Sequence, residues 1–181
     1  MKIRTTNSKD CFIIEPNVFK DSRGVFFETF NKETFYKHTG LDIEFVQDNQ
    51  SESDFGVLRG LHYQTGKMAQ AKLVRAIQGK VLDVVVDLRK DSDSFGQHIS
   101  VILDSIERKQ LFVPRGFAHG FITLSDRSIF SYKCDNYYDK ASEGGIIYND
   151  ATLSIDWHLP KEDFIISEKD LQLPTFMEAT Q

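Results

Sequence analysis

The sequence predicts an all-β protein, a sandwich or barrel of about ten short strands. Three observations predict it. The 181 residues include 15 Phe and 6 Tyr against 11 Gly and 4 Pro, and aromatic side chains suit a pleated, half-buried surface. Short apolar or alternating runs recur along the chain, and turn signals separate most of them. Helical periodicity is nearly confined to one segment, Asn31–Thr39.

In chain order, the expected strands begin with Phe12–Ile14, Val25–Phe30, Glu44–Gln47 and Val57–Gln64. They continue with Lys72–Ile77, Val81–Leu88 and Ile99–Leu103, and end with Gln110–Val113, Gly120–Leu124 and Ile129–Lys133. Asp21-Ser22-Arg23-Gly24, Gln78-Gly79, the polar run Lys90–Ser94 and Pro114-Arg115-Gly116 supply turns between them. The helix over Asn31–Thr39 has Asn31 as its cap, Phe35 on its apolar face and Gly40 to end it. A second helical turn is expected at Ser167, where Ser167-Glu168-Lys169-Asp170 resembles a capping box.

Composition narrows the partners. With 22 Lys and Arg against 27 Asp and Glu, the chain carries a net charge of −5, which disfavours a nucleic-acid surface. A few local Arg and Lys suffice for one small anionic ligand. The longest apolar runs, such as Val84-Val85-Val86, fall far short of a membrane span. The first residues contain no apolar signal region, so a cytoplasmic location is expected. Cys11 and Cys134 form no CxxC and read as core thiols.

The most informative stretch is Leu58-Arg59-Gly60-Leu61-His62-Tyr63-Gln64. In a regular strand Arg59 and His62 point to opposite faces. If both serve one site, a bulge or a kink at Gly60 must re-aim one of them. The plainer alternative is a core-facing His62 with an exposed Arg59. A second stretch, Pro114-Arg115-Gly116-Phe117-Ala118-His119-Gly120, follows the P-x-G-x-x-H pattern of cupins. Together the two imply a double-stranded jelly roll with both histidines at the barrel mouth. Gln64 stands where a metal-binding cupin would place the second histidine of an H-x-H pair, and amide oxygen is a poor substitute for imidazole. The expectation is therefore a cupin-type barrel with no metal.

Such a barrel has residues for proton transfer. An imidazole, with an ordinary pKa of about 6.5, suits proton abstraction at neutral pH. Lys72 offers a fixed donor for an enolate oxygen, and Tyr132 offers an acid. Taken singly, each also reads as a structural residue: Lys72 as a surface charge, His119 as a satisfied buried histidine, Tyr132 as an aromatic core side chain.

Taken together, the motifs resemble the dTDP-4-dehydrorhamnose 3,5-epimerase family over nearly the whole chain. The matching segments are 21–30, 45–51, 57–64, 69–74, 114–121, Tyr137-Tyr138, Ser142-Glu143-Gly144 and 167–170, in that order. The resemblance implies epimerisation of dTDP-4-dehydro-6-deoxy-D-glucose at C3 and C5, without metal or redox cofactor, to supply dTDP-4-dehydro-L-rhamnose for cell-surface polysaccharide. It implies His62 as base with Asp170 as its carboxylate, Tyr132 as acid on the opposite face, and Lys72 at the enolate oxygen. It places Arg23, Glu28, Gln47, Asn49, Arg59, His119, Glu143 and Lys169 against the ligand, and Tyr138 on the thymine. It further implies a single domain over 1–181 in a homodimer. The jelly-roll core is expected over about 45–150, with N-terminal strands bearing Arg23 and Glu28 exchanged between protomers and a helical segment at the C-terminus. Three rivals remain at this point: a 3-epimerase acting on one centre, a metal-dependent cupin enzyme, and a non-catalytic sugar-binding jelly roll.

Overall fold

A computed structural model describes residues 1–181. The chain opens with β1 (Lys2–Thr5), β2 (Phe12–Glu15), β3 (Val18–Asp21) and β4 (Gly24–Phe27), then helix α1 (Lys32–Thr39). The central strands are β5 (Gln47–Asp54), β6 (Val57–Gln64), β7 (Lys72–Gln78), β8 (Lys80–Asp87) and β9 (His98–Asp104). They are followed by β10 (Gln110–Val113), β11 (Phe117–Thr123), β12 (Arg127–Cys134) and the short β13 (Glu143–Gly145) and β14 (Ile165–Ile166). Two one-turn helices close the chain, α2 (Glu168–Leu171) and α3 (Phe176–Ala179).

One six-stranded sheet has the order β1-β2-β10-β7-β12-β5. The other has the order β13-β6-β11-β8-β9, with β14 pairing on β6. Apart from the parallel β14–β6 pair, neighbouring strands are antiparallel. The sheets face one another as a jelly-roll sandwich, and their strand periodicity explains why. Val74 and Ala76 on β7, Val81 and Val85 on β8, Phe121 on β11 and Phe130 on β12 meet in one buried cluster between them. The alternate residues of β8, Leu82, Val84 and Val86, enter a second cluster with Leu58, Ile146, Trp157 and Phe176. The C-terminal segment thus covers the outer face of the second sheet, so β8 is apolar on both faces. Helix α1 covers the outer face of the first sheet through Phe35, which packs with Ile14, Leu73 and Phe112.

The caps read from sequence are present. The Asn31 side chain accepts from the Thr34 amide, and Gly40 ends α1 in the left-handed region at φ 73°. The Ser167 hydroxyl caps α2 by accepting from the Asp170 amide, but the return bond of a capping box is absent because the Asp170 carboxylate is taken by Gly60 and His62. Two expected strands are placed differently, and several short elements were not expected. The expected strand at Glu44–Gln47 lies instead at Gln47–Asp54, a run with no apolar residue that is held by its ladder to β12 rather than by hydrophobic alternation. The expected strand Val25–Phe30 is one arm of a hairpin and ends at Phe27. The strands β1, β3, β13 and β14 had no expected counterpart, being too short to show a period, while helix α3 falls in the expected C-terminal helical segment.

Candidate active site

At one end of the sandwich the interior-facing positions change from apolar to polar. On β7 the parity of Val74 and Ala76 continues to Lys72, and on β12 that of Phe130 continues to Tyr132. On β11, His119 lies between the interior residues Phe117 and Phe121. The interior positions of β5 are Gln47, Asn49, Ser51 and Ser53. Lys72, Tyr132, His119, Gln47, Asn49 and Ser51 border a cleft of about 780 Å³, which also takes in Arg59, His62, Tyr138, Glu143, Lys169 and Asp170.

Arg59 and His62 both reach this cleft because β6 is bulged. His119 pairs with His62 and Phe121 pairs with Arg59, so Gly60 and Leu61 together oppose the single residue Gly120. Gly60 makes the bulge possible. Its φ is +119°, and a Cβ there would lie 2.6 Å from the Gly120 Cα. Of the plainer reading, a core-facing His62 with an exposed Arg59, the second half holds and the first does not: Arg59 is exposed, but His62 is half-buried and borders the cleft beside it rather than the core.

Asp170 reaches His62 from the far end of the chain. The pairing of Ile165 and Ile166 with Val57 and Leu58 brings α2 beneath β6. There the buried Asp170 carboxylate receives the Gly60 amide at 3.1 Å and lies 2.8 Å from His62 Nε2. An ionised carboxylate only accepts, so Nε2 carries a proton, and in the neutral ring Nδ1 is the nitrogen with the lone pair. Burial pushes the Asp170 carboxyl up, but the His62 bond and charge, the Gly60 amide and Lys169 outweigh it and hold it below the usual range.

The opposite wall carries Tyr132 and Lys72. Lys72 Nζ lies 5.9 Å from the Tyr132 ring centroid and pairs with no carboxylate. Burial drives its ammonium below the usual lysine range, against the pull of Cys134, Asp83 and Glu143. Burial also raises the Tyr132 phenol, with Cys134 adding to the rise and Arg59 opposing it. The Cys134 thiol is itself pushed up to about 11 by burial.

The mouth of the cleft is polar and braced. Glu143 receives the Tyr138 hydroxyl at 3.1 Å and the Lys169 ammonium at 2.7 Å. Lys169, first, and Tyr138 hold its carboxyl below the usual range despite burial. Gln47 donates to the Asn49 side chain at 3.1 Å and receives the Tyr138 amide at 3.0 Å. Arg59 Nε donates to the Ser53 hydroxyl at 3.1 Å. Gln64 is a structural residue, its Oε1 receiving the Asp139 amide at 2.9 Å.

Every site residue expected from sequence therefore borders this cleft except Arg23 and Glu28. Arg23 stands on the turn of the β3–β4 hairpin, fully exposed and paired with Asp21 at 2.6 Å, and the Glu28 carboxylate receives Asn31 at 3.2 Å. Sequence reading missed two supporting residues, Ser53 behind Arg59 and Asp83 behind His119 at 2.8 Å. Asp83 did leave a signal: a charge at an interior position of the apolar run Val81–Val86.

The sequence profile of the dTDP-4-dehydrorhamnose 3,5-epimerase family matches residues 5–178. The chain belongs to that family. Among epimerases of this family, the crystal structure from Elizabethkingia anophelis is similar with a TM-score of 0.97 and 54% identity, covering 100% of this chain and 99% of that one. The dTDP-4-dehydrorhamnose 3,5-epimerase of Methanothermobacter thermautotrophicus is 50% identical over 166 residues, 91% of this chain and 89% of its own. The dTDP-6-deoxy-D-glucose-3,5-epimerase of Legionella pneumophila, solved in complex with dTDP-4-keto-L-rhamnose, has a TM-score of 0.92 at 44% identity, covering 96% of this chain and 92% of that one. No helix of the present family member is long and apolar enough to cross a membrane.

Proposed function

We propose that the protein epimerises dTDP-4-dehydro-6-deoxy-D-glucose at C3 and C5 to dTDP-4-dehydro-L-rhamnose in the cytoplasm, using no metal or redox cofactor. The observation that carries this reading is the division of the cleft. The His62–Asp170 pair stands on one wall, and Tyr132 and Lys72 stand on the other.

In this mechanism His62 Nδ1 takes the proton from the carbon beside the C4 ketone. The C–H electron pair forms a carbon–carbon double bond, and the carbonyl π pair moves to oxygen as an enolate. Asp170 stabilises the imidazolium formed, and Lys72 meets the oxyanion. The electron pair then returns, and Tyr132 delivers a proton to the other face, inverting the centre. His62 then gives its acquired proton to solvent and Tyr132 takes one back from solvent before the second centre reacts. Arg59, Lys169 and Arg23 suit the diphosphate, for which guanidinium offers bidentate geometry. Tyr138 suits stacking on the thymine, and Gln47, Asn49, His119, Glu143 and Glu28 the remaining polar contacts.

Arg23 and Glu28 lie outside the cleft of their own chain, and the hairpin that carries Arg23 exposes Phe19 at 64% and Phe26 at 72%. That apolar surface supports a homodimer in which the hairpin completes the partner's site.

Turnover in deuterated water tests the reaction. Deuterium is expected at both C3 and C5 of the product. Label at C3 alone would change the assignment to a 3-epimerase, and absence of label at either carbon would overturn the epimerase reading. Activity lost to a chelator and restored by a transition metal would favour the metal-dependent cupin.

A further inference from the structure

Asp83 is a carboxylate in the apolar centre of the sandwich. On β8 it shares the inward parity of Val81 and Val85, and it is fully buried. Its Oδ2 lies 2.8 Å from His119 Nε2, and its Oδ1 has no hydrogen-bond partner. Burying a carboxylate with one oxygen unsatisfied costs free energy that a valine would not, so the fold alone gives no reason for Asp83. Its only hydrogen-bonded neighbour is a cleft residue. The His119 ring is held on its face by Phe130, with ring centroids 6.1 Å apart at 24°. It borders the cleft, and its Nδ1 makes no hydrogen bond with the protein. Across the β6–β11 pair His119 stands directly opposite His62. Its free edge therefore meets the part of the ligand that the base meets, the sugar ring rather than the nucleotide.

We propose that Asp83 is a positioning residue for the reaction: it receives the Nε2–H of His119 and fixes the ring so that Nδ1 alone faces the sugar beside His62. The inference rests on the epimerase reading above. A carboxylate in this relation to an imidazole selects both its tautomer and its orientation. Without it the ring has a second tautomer and a flipped orientation open to it, each presenting the sugar with the wrong edge.

Two measurements test this. In the unaltered protein, long-range ¹⁵N–¹H correlation spectra of His119 are expected to show Nε2 protonated, with its proton shifted downfield by the carboxylate. In D83N that downfield signal should disappear and kcat should fall on the order of ten- to a hundredfold, the scale for losing a residue that orients a ligand-contacting histidine. The affinity for dTDP, which lacks the sugar, should stay within about threefold, a split that general misfolding would not produce. A kcat for D83N within twofold of the parent, or an unprotonated Nε2 in the unaltered protein, overturns the proposal. The spectrum of the unaltered protein decides the matter even where D83N does not fold. A parent protein that shows the Nε2 signal yet inverts neither C3 nor C5 would refute the epimerase reading while leaving the Asp83–His119 orientation standing.

Discussion

His62 on β6 and Asp170 on α2 are 108 residues apart in sequence and 2.8 Å apart in space. The contact depends on a two-residue parallel strand, since Ile165 and Ile166 dock beside Val57 and Leu58 and deliver α2 to the back of the bulge. Asp170→Asn keeps the size of the side chain and removes the acceptor-only group that sets the His62 tautomer. The expected result is a kcat lower by about 10³-fold or more, with dTDP affinity little changed, measured by coupled turnover and calorimetry. The same pair stabilises the fold in a defined pH window. The Asp170 carboxyl is held below its usual range in the folded state. Its contribution is therefore complete above the ordinary aspartate value of about 3.9 and is lost as pH falls through the lower folded value. Thermal melts should show D170N less stable than the parent at neutral pH, with the difference shrinking as the solution is acidified below about pH 4.

Tyr132→Phe separates proton removal from inversion. The half-buried phenol is raised above its usual range and stays protonated through mildly alkaline pH, as an acid must. Deleting the hydroxyl leaves His62 and Lys72 in place. Exchange of substrate protons at C3 or C5 with deuterated solvent should therefore continue, while formation of the doubly inverted product falls about 10²- to 10⁴-fold. Loss of exchange in equal proportion to loss of product would remove Tyr132 from the role of acid on the opposite face.

Lys72 combines function with a stability cost. Burial lowers its ammonium from the usual range, so an activity that needs the charged form should decline on the alkaline side at a pH below that of an ordinary lysine. Lys72→Met keeps the aliphatic stem and removes the charge. kcat should drop on the order of 10²- to 10³-fold, the scale for one oxyanion donor, and this alkaline limb should vanish from the residual activity. Stability should move the other way. A folded-state pKa below the unfolded one means that the charge opposes folding at neutral pH, an opposition relieved as pH rises through the folded value. K72M is therefore expected to melt higher than the parent at pH 7, and a lower melting temperature would show that Lys72 holds the two sheets together rather than serving the cleft.

Much of this arrangement was legible in sequence wherever apolar period and turn chemistry agreed. Val81–Leu88 and Gln110–Val113 announced core strands, and Asn31 and Gly40 marked both ends of α1. The conflict between Arg59 and His62 was visible as well, because a period of two cannot turn residues three apart to one face, and the glycine between them marked the remedy. What stayed hidden is what packing supplies. β5 carries only polar residues because its inner face lines the cleft, so hydrophobic alternation could not reveal it. β14 holds two residues and shows no period, yet it brings Asp170 to His62. Asp83 stood out against its apolar neighbours, but its partner lies 36 residues away on another strand, and only the β8–β11 pairing discloses it.

The hairpin β3–β4 permits a test of assembly that no single variant provides. Its turn presents Arg23 to solvent, outside the cleft of its own chain, while Phe19 and Phe26 stay uncovered on its arms. If the hairpin completes a neighbour's site, Arg23 and His62 of one functional site come from different protomers. Arg23→Ala and His62→Ala should then each be strongly impaired as pure proteins, R23A through KM and H62A through kcat. Mixing them under conditions that exchange subunits should restore turnover. In the mixed dimer, the R23A protomer keeps its own His62 and receives an intact Arg23 from its H62A partner, so one of the two sites is whole. Size-exclusion chromatography with light scattering should report a dimer of the 20.8 kDa chain. Activity of the mixture equal to the average of the two pure variants would show that each chain builds its site alone, and a monomer in solution would exclude the exchange outright.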